Sequence, residues 1–213
     1  MPLTIYFLRH GQTSFSRDNA FCGSGLNPDL TPVGLEMAQA FAAGYGTIPW
    51  SAIYSSPLKR SLLTAQTLSK EIGLNIELRD NLMEIGYGKW EGMSVEEVDR
   101  IYHDAYIKWS SDPAWNSPTG GESAIMIARR GLQVIEEIKQ SFIDGNVMVV
   151  SHKATIRIII CALLGIDVGR FRSRLACPVA SVSIVEFGSR GPLLKALADV
   201  NHLSDRLRLQ PGT

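Results

Sequence analysis

Four stretches of the chain carry residues suited to phosphoryl chemistry: Arg9-His10-Gly11, Lys59-Arg60, Glu84 and Ser151-His152. Arginine presents a planar fork of N–H donors that matches phosphate oxygens, and a helix start adds backbone donors and positive potential. Arg9, Arg60 and His152 are therefore candidates to hold a phosphoryl group. His10 is the candidate nucleophile, because imidazole attacks only when neutral and neighbouring cations disfavour its protonated form. In an in-line transfer to His10, the other three would stabilise charge on the equatorial oxygens. A departing alkoxide then needs a proton and an incoming water must lose one, and Glu84 is the candidate for both transfers. Burial against nearby aromatics is expected to favour its acid form. The scheme requires no metal and no other cofactor, since the arginines supply the electrostatic stabilisation.

These residues have to be delivered by regular elements. Leu3 to Leu8 is an apolar run rich in β-formers that stops at Arg9-His10-Gly11, the pattern of a buried strand ending in a turn. Gly11 lets the chain turn away and leaves room beside His10. Thr31-Pro32 starts a helix with an apolar face at Met37, Ala38, Phe41, Ala42 and Tyr45. Ala52 to Ser55 is a second strand, and Ser56-Pro57 repeats the cap-plus-proline start for a helix striped by Leu58, Leu62, Ala65, Leu68 and Ile72. Lys59 and Arg60 fall in its first turn, near the positive end of the helix dipole. Asn75 to Leu78 reads as a third strand.

From about residue 85 to 120 the pattern changes to aromatics among turn residues and charges, with a capping box at Ser94 and Glu97. This is read as a small helical lid insertion whose aromatics mostly pack it onto the core. Gly120-Gly121-Glu122 opens a long helix with a stripe at Ile125, Ala128, Leu132, Ile135, Ile138 and Phe142. Val147 to Val150 is a buried strand ending in Ser151-His152, followed by an apolar helix over 154–164. Late strands fall at Val182–Phe187 and Leu193–Ala198, before a polar tail from Asp199. The alternation predicts an α/β three-layer sandwich: one domain over 1–213, with a mostly parallel central sheet and helices on both faces. In that architecture Arg9-His10, Ser55-Ser56 and Ser151-His152 all follow strand C-termini and gather at the sheet edge where ligands bind.

The 213 residues suffice for a full hydrophobic core, and Lys plus Arg balances Asp plus Glu at 21 each. No charge excess points to nucleic acid or an anionic membrane, so an anion site has to be local. Cys22, Cys161 and Cys177 show no metal or redox spacing and read as structural thiols of a reducing, cytoplasmic setting. The start of the chain lacks the basic leader of a signal peptide, and 154–166 is too short for a membrane span and contains Arg157. His103 and His202 read as surface residues, and the four histidines show no zinc-ligand spacing. Exposed apolar surface around the late strands would suit a homodimer.

Taken together the motifs resemble those of the histidine phosphatase superfamily, the phosphoglycerate-mutase-like proteins. Leu8-Arg9-His10-Gly11-Gln12-Thr13 resembles its Arg-His-Gly signature, and Ser55 to Arg60 with Thr64-Ala65 its second arginine motif. Met83 to Gly92 resembles the acid segment, Gly120-Gly121-Glu122-Ser123 a further family segment, and Val150-Ser151-His152 the second histidine. The resemblance implies that His10 becomes phosphohistidine, that Arg9, Arg60 and His152 bind the phosphate, and that Glu84 donates the proton. Gln12, Ser16, Tyr87 and Lys153 are placed around the substrate. Ser16 stands where many members have Asn, and Lys153 where a small residue, usually Gly, is found. The expected activity is metal-independent hydrolysis of a small phosphomonoester, such as phosphoserine or a sugar or glycerate phosphate. The alternatives are a cofactor-dependent phosphoglycerate mutase, which the compact lid disfavours, and a silent phosphate-binding module, which the full set of catalytic residues disfavours.

Overall fold

A computed structural model describes residues 2–212. Six strands form one sheet in the order β3-β2-β4-β1-β5-β6: β1 (Leu3–Arg9), β2 (Trp50–Ser55), β3 (Ile76–Leu78), β4 (Asn146–Ser151), β5 (Val182–Gly188) and β6 (Gly191–Asp199). The pairs β3-β2, β2-β4 and β4-β1 are parallel. β5 alone runs against its neighbours, because it returns through a tight hairpin into β6. The helices are α1 (Ser14–Arg17), α2 (Pro32–Tyr45), α3 (Lys59–Ile72), α4 (Val95–Ser111), α5 (Ala124–Ser141), α6 (Lys153–Leu164), α7 (Phe171–Arg174) and α8 (Asp205–Arg208).

The alternation of side chains along each strand builds the three layers. Ile5, Phe7, Val147 and Val149 face one core with residues of α5 and α6, while Leu8, Met148 and Val150 face the other with Phe41 of α2 and Ala65 and Leu68 of α3. Both central strands are apolar in consecutive positions because both of their faces are covered. Among the described residues no helix is long and apolar enough to cross a membrane.

Several local expectations need correction. α3 begins at Lys59 with Leu58 as N-cap, two residues past Ser56-Pro57. The Ser56 hydroxyl meets His152 Nε2 at 2.8 Å, and the Lys59 N–H donates instead to Asn27 Oδ1 at 2.7 Å. The buried stripe of α5 runs through Ala124, Ile127, Ala128, Gly131, Val134, Ile135 and Ile138, leaving Ile125 and Leu132 at its margin. Gly131 carries the closest approach to α6, where a Cβ would lie 2.6 Å from the Ile159 side chain. The tail after Asp199 is not merely polar: Leu203 and Leu207 are buried against Met37 and Val179. His202 is likewise no surface residue, since its ring packs edge-on to Phe41 and Tyr45 at 5.5 and 5.6 Å. His103 is exposed, bonded to Asp99 one turn earlier.

Between β3 and α5 the chain leaves the sheet through a 3-10 turn at Gly88–Trp90 and then forms α4, whose N-terminus has the expected Ser94–Glu97 capping box. Its aromatics pack with Phe21 into a separate small core of Trp90, Val98 and Trp109. Trp115, by contrast, is 77 % exposed.

Candidate active site

β1, β2 and β4 are adjacent, so the turns after their C-termini converge. Arg9 pairs in register with Ser151, and Ser55 with Val150, so the residues that follow are neighbours although far apart in sequence. The His10 and His152 rings meet at 5.1 Å between centroids. The loop after β1 fits closely under α2: a Cβ on Gly11 would lie 2.2 Å from the Gly34 carbonyl oxygen, so only glycine passes there.

His10 is nearly fully buried, and its Nδ1 lies 2.7 Å from the Gly11 carbonyl oxygen. A carbonyl only accepts, so Nδ1 carries the proton and Nε2 keeps the lone pair. Burial first, then the Arg60 and Arg9 guanidinium groups, hold the imidazole well below its ordinary pKa. His10 is thus a neutral imidazole in a defined tautomer beside two cations.

Arg60 is buried at the base of the cleft. Its Nη1 donates to the Leu26 carbonyl at 2.9 Å, Nη2 to that of Gly23 at 3.1 Å, and Nε to His152 Nδ1 at 3.2 Å. His152 therefore presents its bare Nδ1 to Arg60 and its Nε2–H to the Ser56 hydroxyl. Burial, then Arg60, keeps it neutral as well. His152 is fully buried, in ring contact with His10 and hydrogen-bonded to Arg60, while Arg9, His10 and Arg60 line the cleft itself. Arg9 donates through Nη1 to the Cys177 carbonyl at 2.7 Å, while its buried Nε has no hydrogen-bond partner. Burial lowers its pKa to about 10, which leaves it charged at neutral pH.

Glu84 is buried. Its oxygens accept from the backbone N–H groups of Ile85 at 2.9 Å and of Ala154 and Thr155 at 3.1 Å, with the Thr155 hydroxyl at 3.0 Å. The carboxyl is thus seated on the N-terminus of α6, in a cleft that Tyr87, Phe21 and Trp109 also line.

These groups line a cleft of about 740 Å³, counting its open mouth. Arg9, His10, Arg60 and Glu84 form its floor together with Ser16, Tyr87 and Lys153, as the sequence suggested. Gln12 is the exception: it points to the other side of the turn, accepting from Thr31 Oγ1 at 2.8 Å and donating to the Pro211 carbonyl at 2.5 Å. Burial holds the Tyr87 hydroxyl well above the ordinary phenol range. Cys22, read as structural, also lines the cleft, and burial raises its thiol to about 11. Trp109, one of the aromatics of the insertion, is part of the wall, and Phe21, Arg157 and Arg172 join it without having been singled out. The only hint of Arg157 was a lone charge in an apolar helix.

Burial, then Arg9 and Arg157, lowers Lys153 to about 8. A lysine above its pKa is neutral and no longer attracts an anion. We therefore expect kcat/KM for phosphomonoesters, which reports the free enzyme, to fall about tenfold as pH rises through about 8. In Lys153→Met that transition should be missing, and its persistence would assign it elsewhere.

Comparison with known proteins gives the family of the chain. A family model described as histidine phosphatase superfamily (branch 1) matches residues 5–200. Phosphoserine phosphatase 1 of Hydrogenobacter thermophilus is 32 % identical over 201 residues, 94 % of this chain and 94 % of its own length. A glucosyl-3-phosphoglycerate phosphatase of Mycolicibacterium vanbaalenii is 33 % identical over 171 residues, covering 77 % of this chain and 75 % of its own. Among solved structures, a variant of phosphoserine phosphatase from Entamoeba histolytica in complex with phosphoserine superimposes with a TM-score of 0.81 at 26 % identity, over 95 % of this chain and all of that one.

Proposed function

Since the chain belongs to the histidine phosphatase superfamily, branch 1, we propose that it hydrolyses small phosphomonoesters through a phosphohistidine at His10. The observation that carries this reading is the His10 tautomer: Nδ1–H is held by the Gly11 carbonyl, leaving the Nε2 lone pair on a ring that two buried guanidinium groups keep neutral. Nε2 attacks phosphorus as the ester P–O bond breaks, and the alkoxide leaves with a proton from Glu84. Arg9, through its unpartnered Nε, and Arg60 stabilise the equatorial oxygens in a water-poor site where such interactions are strong. Glu84 then takes a proton from water, the resulting hydroxide attacks phosphorus, the P–N bond breaks, and inorganic phosphate leaves with His10 restored. His152 is a positioning residue that aims Arg60.

The excursion between β3 and α5 serves as the lid of this reading. A cytoplasmic location suits the three free cysteines. The exposed Leu193 and Leu197 on the edge strand β6 would pair in a homodimer. The test is phosphate release from a panel of small phosphomonoesters in excess chelator, beside interconversion of 3- and 2-phosphoglycerate primed with bisphosphoglycerate. Hydrolysis of panel members with little interconversion is the expected result. Efficient interconversion without comparable hydrolysis would make the protein a mutase.

A further inference from the structure

The cleft holds more positive charge than a phosphoryl group uses. Arg9, Arg60, Lys153, Arg157 and Arg172 all line it, and Glu84 is the one acidic residue beside them. Every salt bridge among the described residues lies elsewhere, and none of these five takes part in one. A phosphate dianion at His10 is matched by Arg9 and Arg60. Arg157 and Arg172 remain, and neither is needed to hold the fold by an ion pair.

Their placement is directional. Lys153 is the first residue of α6, where Glu84 and the floor of the site lie, and Arg157 follows one turn later on the same helix face, roughly 6 Å along the axis. Arg157 is anchored by Nε to the Lys153 carbonyl at 3.0 Å, by Nη1 to the Leu175 carbonyl at 3.5 Å and by packing over the Phe171 ring at 4.9 Å, which leaves its Nη2 donors uncommitted. Arg172, at the exposed end of the cleft, lies 4.1 Å over the Trp109 ring. An indole beneath a guanidinium fixes its plane and leaves its edge donors for an in-plane partner. Two planar forks lining the same cleft, both without a carboxylate partner, suit a second, planar anion on the substrate that carries the transferred group.

We propose that Arg157 and Arg172 form a second anion subsite that takes the substrate's carboxylate, so that the preferred substrates are short phosphorylated hydroxy or amino acids. The inference rests on the phosphatase reading above and narrows it. The specificity comes from charge at the mouth of the cleft, set apart from the groups that act on phosphorus.

Matched substrate pairs test it: phosphoserine against phosphoethanolamine, and 3-phosphoglycerate against glycerol 3-phosphate. In each pair only the first member has the carboxylate. We expect the wild-type protein to favour the carboxylated member by about tenfold or more in kcat/KM, the size of one charge-assisted hydrogen bond. Arg172→Gln and Arg157→Gln should bring that ratio toward one, and Arg157→Lys should keep part of it. A wild-type ratio near one, or a loss shared equally by both members of each pair, would overturn the subsite. Stronger preference for 1,3-propanediol bisphosphate than for either acid would overturn the carboxylate assignment. His10-dependent hydrolysis of p-nitrophenyl phosphate, measured alongside, separates the two levels. If it is present and the ratio is one, only the subsite fails; if it is absent, the phosphatase reading fails.

Discussion

His10→Ala is expected to lower kcat for phosphomonoester hydrolysis by at least about 10⁴-fold while leaving inorganic phosphate able to bind. The two effects separate because different groups carry them. The nucleophile is one nitrogen, and its loss removes the covalent route, leaving only the stabilisation that the arginines offer to direct attack by water. The anion site consists of Arg9 and Arg60, whose hydrogen bonds run to the carbonyls of Cys177, Leu26 and Gly23 and to His152, not to His10. Phosphate affinity by calorimetry, beside turnover of the same preparation, checks both halves. Turnover within tenfold of wild type would remove His10 from the reaction.

Glu84→Gln is expected to act on both stability and leaving-group dependence. Backbone N–H groups from Ile85, Ala154 and Thr155 converge on the two carboxyl oxygens. A glutamine amide turns one acceptor into a donor, so in either orientation a donor faces a donor, at a cost of about 1–3 kcal/mol measurable by denaturant unfolding. For alkyl phosphates, whose alkoxide must be protonated, kcat should fall about 10²- to 10⁴-fold. p-Nitrophenyl phosphate has a leaving group that departs without a proton, so its first step should survive. The second step still lacks a base, and a burst of nitrophenol followed by slow turnover should appear. Equal losses on both ester types without a burst would take the proton transfers away from Glu84.

Much of this site was legible because it lies at the ends of strands. The apolar runs that became β1 and β4 each stop at a reactive residue, and parallel pairing of covered strands places those ends side by side. What could not be read depended on partners distant in sequence. Ser56 has the type and position of an N-cap, yet its hydroxyl, which accepts the Leu58 N–H at 3.3 Å, is shared with His152, and the Lys59 N–H is satisfied by Asn27, 32 residues earlier. Gln12 is two residues from His10, but the turn after β1 aims it at the chain end, at Pro211. Apart from the adjacent Ile85 N–H, the donors around Glu84 come from the start of α6, 70 residues later, and nothing near Glu84 in the sequence announced them. Arg157 was hidden by its helix, whose other faces are buried, and Arg172 by a short basic turn.

The covalent phosphoenzyme is the most direct test of the account. The protein would be mixed with a ³²P-labelled phosphomonoester, quenched within milliseconds in base, and digested for peptide mapping. The account predicts one phosphoryl group on the peptide containing His10, stable to base, lost in acid, absent from His10→Ala and, with p-nitrophenyl phosphate as the ester, accumulating in Glu84→Gln. Full turnover with no label on the protein at any quench time, or label on another residue, would contradict it.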